Sequence, residues 1–254
     1  MGDNLDPIDL GSGFGDYDSI KCSAGFTCVL STSGKMKCFG LNDKGQLGVG
    51  DTNNRGDEGG EMGDDLGDCD LGSDYTVSSM AKGYGGSHSC AVSDGDVIKS
   101  WGSNDYGQLG NGDTSGASIG DSSDEMGDNL SSVNVDGTPT SDPTSDPTAD
   151  PTKDPTTTPA PTSIPEPQMS MNDKSTCSVW DDEVKCWGDR SVVDPTYEGT
   201  TMDPAYWYKP PIDALDLGSS FTPDSVSCGR THQCALSTDG AVRCWGDNRF
   251  ALCP

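Results

Sequence analysis

The chain has 254 residues, 42 of them acidic against 15 basic, for a formal net charge of −27. That field repels phosphate backbones and anionic bilayers, so neither nucleic acid nor membrane insertion is expected, and no apolar run approaches the ~18 residues a spanning helix needs. Hydrophobic residues make up 31% while glycine (34) and proline (16) are abundant, which argues against long helices around a large apolar core and fits short strands with many turns.

The chain opens on Met1-Gly2-Asp3-Asn4-Leu5, an element that returns at Met62–Leu66 and Met126–Leu130. Met1 therefore reads as an internal methionine of a repeat, and the lack of a signal-peptide pattern behind it carries little weight. Ile8-Asp9-Leu10-Gly11 follows and recurs as Cys69-Asp70-Leu71-Gly72 and Leu215-Asp216-Leu217-Gly218.

The first hairpin is CVLSTSGKMKCFG from Cys28. A three-residue loop ending in glycine, Thr32-Ser33-Gly34, closes it, because glycine accepts the positive φ such a loop needs. Counting outward places Cys28 opposite Cys38, within disulfide reach. Phe39-Gly40 and LNDKGQLGVGDT come next, with Leu47 between glycines as an apolar plug. Asn42-Asp43-Lys44-Gly45 resembles a calcium loop only faintly and suits turn chemistry better. The acidic loop of Asp57, Glu58 and Glu61 is a better candidate for weak calcium binding, as is its counterpart of Asp121, Asp124 and Glu125. No other cofactor is expected. Arg55-Gly56-Asp57 spells an integrin-type tripeptide that chance readily supplies.

The second hairpin, CAVSDGDVIKSWG from Cys90, sets Cys90 opposite Ser100 and leads through Trp101-Gly102 into SNDYGQLGNGDT. Asn129-Leu130-Ser131 is the one N-glycosylation sequon, which makes Asn129 the candidate glycan site; a structural turn role for Asn129 competes with it. Residues 137–168 then break the pattern with SDPT, SDPT, ADPT and KDPT, and hold neither cysteine nor aromatic. Such a tract cannot bury enough apolar surface to order itself, so it reads as a disordered Pro/Thr-rich linker, either an O-glycosylated spacer or a bare loop. Long surface loops cost only about 0.6 kcal/mol per doubling of length. Deleting the tract is therefore expected to leave the melting temperature within about 5 °C, the scale of a 1 kcal/mol change; a larger fall would mean that it packs on the rest.

The third hairpin, CSVWDDEVKCWG, is one residue shorter, yet a two-residue loop at Asp181-Asp182 still brings Cys177 opposite Cys186. The fourth, CALSTDGAVRCWG, faces Cys234 with Cys244. Two loop lengths thus bring the same residue types together, which favours disulfides Cys28–Cys38, Cys177–Cys186 and Cys234–Cys244 over buried free thiols. Cys22, Cys69, Cys90, Cys228 and Cys253 remain, and of these Cys22 and Cys228 read as small core residues. The only histidines, His88 and His232, sit two residues before hairpin cysteines, where a core histidine bonded to backbone is expected. They cannot supply a catalytic triad or a zinc site.

The four copies start 62 (90 − 28), 87 (177 − 90) and 57 (234 − 177) residues apart. A repeat of this length means stacked units that share a core. The runs from His88 to Leu109 and from His232 to Gly246 open on histidine and a hairpin cysteine and end in tryptophan-glycine, the first passing on to Gly-Gln-Leu-Gly. In these residues the chain resembles the regulator-of-chromosome-condensation repeat family. The resemblance implies an all-β fold, a partial or open β-propeller of about four four-stranded blades. Its blades would occupy 1–136 and 169–254, on either side of the linker at 137–168. Full propellers of the family hold about seven blades.

Function is expected on a repeated surface rather than in a single catalytic cleft. The paired cysteines point to an oxidising compartment, hence an extracellular or cell-surface location, with the cytoplasm as the alternative. The leading expectation is a non-enzymatic module that binds a protein or glycan through a propeller face. The alternative is the guanine-nucleotide exchange, or another intracellular scaffold role, that the family resemblance suggests. An enzyme on this scaffold is not supported by the residue inventory.

Overall fold

The computed structural model describes residues 7–84, 86–113, 115–135, 168–189 and 214–246. The linker expected at 137–168 lies outside them except for Gln168, as does Cys253. The described residues form thirteen β-strands and three short 3-10 turns. Strands β1 (Tyr17–Cys22), β2 (Phe26–Ser31) and β3 (Met36–Gly40) make the first antiparallel sheet. The second holds β4 (Val77–Met80), β6 (His88–Ser93) and β7 (Ile98–Gly102). The third holds β8 (Gln168–Asn172), β9 (Ser175–Trp180) and β10 (Glu183–Gly188), and the fourth β11 (Pro223–Cys228), β12 (His232–Ser237) and β13 (Val242–Gly246). These are the blades of the all-β propeller arc, one for each copy of the repeat. Strand β5 (Lys82–Tyr84) continues β4 but pairs in parallel with β8 of the following blade, Gly83 opposite Met171.

Each blade has three regular strands, and in the first three a short docked segment holds the fourth position. The nitrogens of Cys69, Val133 and Leu215 donate to the carbonyls of Met36, Ile98 and Val184 at 2.8 Å in each case. One such bond per blade is too little for a regular strand. What fixes the segment is a cation. Lys37 Nζ donates to the Leu10 carbonyl at 2.9 Å, Lys99 Nζ to Leu71 at 2.7 Å and Lys185 Nζ to Val135 at 2.8 Å, and Arg243 reaches the Leu217 carbonyl in the same way. The carbonyls belong to the Asp-Leu-Gly element and its relatives. Replacing Lys185 by methionine keeps the stem and orphans the Val135 carbonyl. A loss of about 2 kcal/mol is expected, read by urea titration, since a buried unpaired polar group costs about 1–3 kcal/mol.

The hairpin loops obey their chemistry. Gly34 takes φ +78 at the end of the first loop, whereas Asp181 (φ +50) and Asp182 (φ +60) form the two-residue loop of the third blade. The cores lie between blades. Leu47 of the first blade packs in one cluster with Ala91, Trp101 and Met126 of the second. Trp187 of the third packs with Val92, Ile98 and Val135 of the second, and Trp245 of the fourth with Val184 of the third. Trp101 and Trp187 are fully buried.

The Gly-Gln-Leu-Gly turn makes this seam. The Asn42 amide oxygen accepts from the Leu47 nitrogen at 2.9 Å, and Asn104 from Leu109 at 3.2 Å, so the asparagine shapes the turn that carries the leucine. The Gln46 carbonyl then receives both the Trp101 indole N–H at 3.1 Å and the Ser89 hydroxyl at 2.9 Å.

Candidate interaction surface and cysteine framework

Three disulfides cross the hairpins. Cys28–Cys38, Cys177–Cys186 and Cys234–Cys244 are bonded, with Cα–Cα separations of 4.1, 4.1 and 4.0 Å. In the first, third and fourth blades the two cysteines are direct cross-strand partners. The second blade has Cys90 opposite Ser100, whose hydroxyl donates to the Cys90 sulfur at 3.0 Å. Burial pushes the thiols of Cys90 and Cys228 up, to about 11 and about 12, which leaves little thiolate at neutral pH. Cys228 is buried, as a core residue should be, but Cys22 is exposed. Both lie on edge strands, but Cys228 is covered by the third blade, where its nitrogen donates to the Ser170 hydroxyl, whereas Tyr17, Ile20 and Cys22 face solvent along β1.

The two histidines also part company. His88 is fully buried, and its Nε2 lies 2.9 Å from the Thr176 hydroxyl of the third blade, so its partner is a side chain and not the expected backbone group. His232 is half-buried at the start of β12.

The acidic loops spend their carboxylates on the backbone. Glu61 Oε2 accepts from the nitrogens of Gly56 and Glu58 at 2.9 and 3.0 Å, and Glu125 Oε2 from Gly120 at 2.9 Å. Asp57 accepts from the Asn54 amide at 3.1 Å, which with other hydrogen bonds lowers its pKa, and Asp124 accepts from the Ser122 hydroxyl. Asp121 is exposed beside them. Among the described residues no three such side chains converge to hold a metal ion. Arg55 is tied to Asp51 at 2.7 Å and to the carbonyls of Asn53 and Asn54, so the Arg-Gly-Asp run is not presented as a free loop. Asn129 is exposed at the end of a 3-10 turn and its nitrogen donates to Met126.

What remains on this side is a polar groove of about 580 Å³, lined by Thr52, Asn53, Asn54, Arg55, Asp57, Glu58 and Glu61. Beside it runs a second repeated feature. Asp64 accepts from the Ser12 nitrogen at 2.7 Å and Asp128 from the Ser73 nitrogen at 2.9 Å, which fastens each Asp-Leu-Gly-Ser turn to the acidic element one repeat on. The sequence reading missed the cations Lys37, Lys99, Lys185 and Arg243. The signal was there: each directly precedes the second hairpin cysteine or its serine substitute.

The model for the regulator of chromosome condensation (RCC1) repeat matches residues 17–46, 83–108 and 224–251. The chain carries RCC1 repeats. The matches fall on the first, second and fourth blades and cover the hairpin of each, with β1 and most of β11 but not β4. Among solved structures, human WBSCR16 is 17% identical, with a TM-score of 0.58 over 92% of this chain and 48% of that one, a likeness of fold. Prp20p from Saccharomyces cerevisiae is 13% identical, with a TM-score of 0.49 over 91% of this chain and 57% of that one. The CRINKLY WD40 ectodomain of the Arabidopsis thaliana receptor kinase ACR4 is 13% identical, with a TM-score of 0.41 over 94% and 53%. The RCC1-repeat arc thus spans about half the length of each. Among the described residues no helix is long and apolar enough to cross a membrane.

Proposed function

We propose that this RCC1-repeat arc is a non-enzymatic interaction module of a secreted or cell-surface protein, working without a cofactor and binding a protein or glycan partner through its repeated blade face. The observation that carries the location is the set of three cross-strand disulfides. Such bonds persist in oxidising compartments and are rare where glutathione keeps thiols reduced. The net charge of −27 favours a partner with a basic surface, drawn in by long-range attraction. The polar groove beside Arg55, with Glu58 and Glu61 on its wall, offers donors and acceptors of the kind a basic peptide or a sugar uses. Asn129, exposed in its sequon, is the glycan acceptor of this reading.

The test has two arms. Protein isolated from its native compartment without reductant, then denatured, should titrate no more than five thiols, because six of the eleven cysteines are bonded (11 − 6 = 5). Eleven thiols would sink the extracellular reading. Immobilised protein should then retain basic protein or glycan probes in a salt-sensitive way, and Glu58→Lys with Glu61→Lys should weaken retention. The RCC1 match itself favours a second reading, an intracellular scaffold with guanine-nucleotide exchange activity. Acceleration of nucleotide release from a small GTPase, together with eleven free thiols, would establish it instead.

A further inference from the structure

The first blade holds a sulfur contact that the third lacks. Its docked fourth segment brings a cysteine to the disulfide. Cys69 Sγ lies 3.4 Å from Cys38 Sγ, and its thiol donates to the Leu47 carbonyl at 3.1 Å. The Cys69 nitrogen, bonded to the Met36 carbonyl at 2.8 Å, fixes the residue against β3. In the third blade the equivalent docking residue is Leu215, so no sulfur can approach Cys186 from that side. On the other flank of the same bond is a cavity of about 20 Å³, lined by Cys22, Phe26, Cys28, Met36 and Cys90 among others. A void of that size holds about one water-sized group.

We propose that Cys28, Cys38 and Cys69 form a three-sulfur exchange site, in which the disulfide moves between Cys28–Cys38 and Cys38–Cys69 within the folded first blade. The step begins when the Cys69 thiol gives up its proton to solvent base. The thiolate attacks Cys38 Sγ; the Cys38–Cys69 bond forms as the Cys28–Cys38 bond breaks, and the electron pair leaves on the Cys28 sulfur, which takes a proton. One thiol and one disulfide stand on each side, so neither oxidant nor reductant is consumed. The displaced Cys28 sulfur has the cavity to turn into. The exchange moves the cross-link from inside the hairpin to a span of 31 residues (69 − 38) that ties β3 to the docked segment. It also transfers a free thiol from the blade's outer edge to a cavity whose wall includes the exposed Cys22.

Burial and the neighbouring Asp68 push the Cys69 thiol up to about 12, so the exchange is slow at neutral pH and quickens with alkali. The charged group acting on it is Asp68, which Lys35 and Lys37 of the first blade approach at 3.4 and 3.9 Å.

The experiment uses the whole chain isolated without reductant. Samples held at pH 7, 8, 9 and 10 are quenched in acid, alkylated with N-ethylmaleimide and mapped as non-reduced peptides. Label should appear on Cys28 while Cys38–Cys69 peptides accumulate, about tenfold faster per pH unit. Cys177 and Cys186 should stay bonded and unlabelled. Cys69→Ser should abolish the shift, and Cys28→Ser, given glutathione disulfide as oxidant, should form Cys38–Cys69. Label on Cys69 and none on Cys28 at every pH would overturn the proposal, as would equal labelling of Cys177 and Cys186, which would mean disulfide scrambling throughout the chain. Because the site needs the Cys28–Cys38 bond, eleven free thiols would remove it together with the extracellular reading; five or fewer thiols without a shift would remove it alone.

Discussion

Gly110→Ala should lower the melting temperature by about 10 °C, a larger effect than loss of any exposed residue. Gly110 closes the Gly-Gln-Leu-Gly turn of the second blade at φ +66. A methyl group there would lie 2.6 Å from both Cδ1 and Nε1 of Trp187. That indole is fully buried between blades and packed with Val92, Ile98 and Val135, so it has nowhere to retreat. Overpacking of a dense core costs about 1–3 kcal/mol, and a left-handed φ at a residue with a Cβ adds about 1 kcal/mol. The sum, about 3 kcal/mol, corresponds to about 10 °C in a domain of this size. Gly112 supplies the control. It has φ +80 in the same loop, but a methyl there meets nothing within 4 Å. Gly112→Ala should therefore cost only the backbone strain, about 3 °C. Calorimetry on the two variants decides the matter; equal falls would mean that the seam yields and that the Trp187 contact is not what holds the blades together.

The blades were legible because their signals are local. Hairpin loop length and cysteine position together dictate the register that sets Cys177 against Cys186 and Cys234 against Cys244. The turn roles of Asn42 and Leu47 follow in the same way, since Asn, Gly and one apolar residue within seven positions leave few conformations open. What was illegible depends on neighbours distant in sequence. Cys22 and Cys228 occupy equivalent places before their hairpins, yet Cys228 is buried against the third blade, its nitrogen donating to the Ser170 hydroxyl at 2.9 Å, while Cys22 is exposed. The approach of Cys69 to Cys38 could not be read at all. It requires the segment after the acidic loop to fold back on β3, and no spacing rule covers a docked segment with one backbone bond. The candidate surface was partly legible. The acidic loops were found, but their carboxylates proved to be turn acceptors and not a ligand set.

Acid should open the seam between the second and third blades through His88. The Thr176 hydroxyl donates its hydrogen to the Gln108 carbonyl at 3.0 Å, so toward His88 it can only accept. The imidazole Nε2 must then carry the proton and donate across 2.9 Å, which leaves Nδ1 bare; Nδ1 indeed has no partner. A second proton would go to that nitrogen, placing a charge where nothing receives it. Burial accordingly lowers the His88 pKa to about 4. In the unfolded chain a histidine titrates near 6.5. Between about pH 6.5 and pH 4 the unfolded state binds a proton that the folded state refuses, so stability rises with pH across this window and is lost as pH falls. The full loss is about 3 kcal/mol, complete near pH 4. Carboxylates whose pKa is lowered, such as Asp51 held by Arg55, contribute below that window, and Asp173, raised by burial, acts in the opposite sense. Urea titrations at pH 7, 5.5 and 4.5 should show the decline in wild type. In His88→Gln, whose amide can still donate to Thr176, most of it should vanish. An unchanged pH slope in that variant would assign the acid sensitivity to other groups and leave His88 a packing residue only.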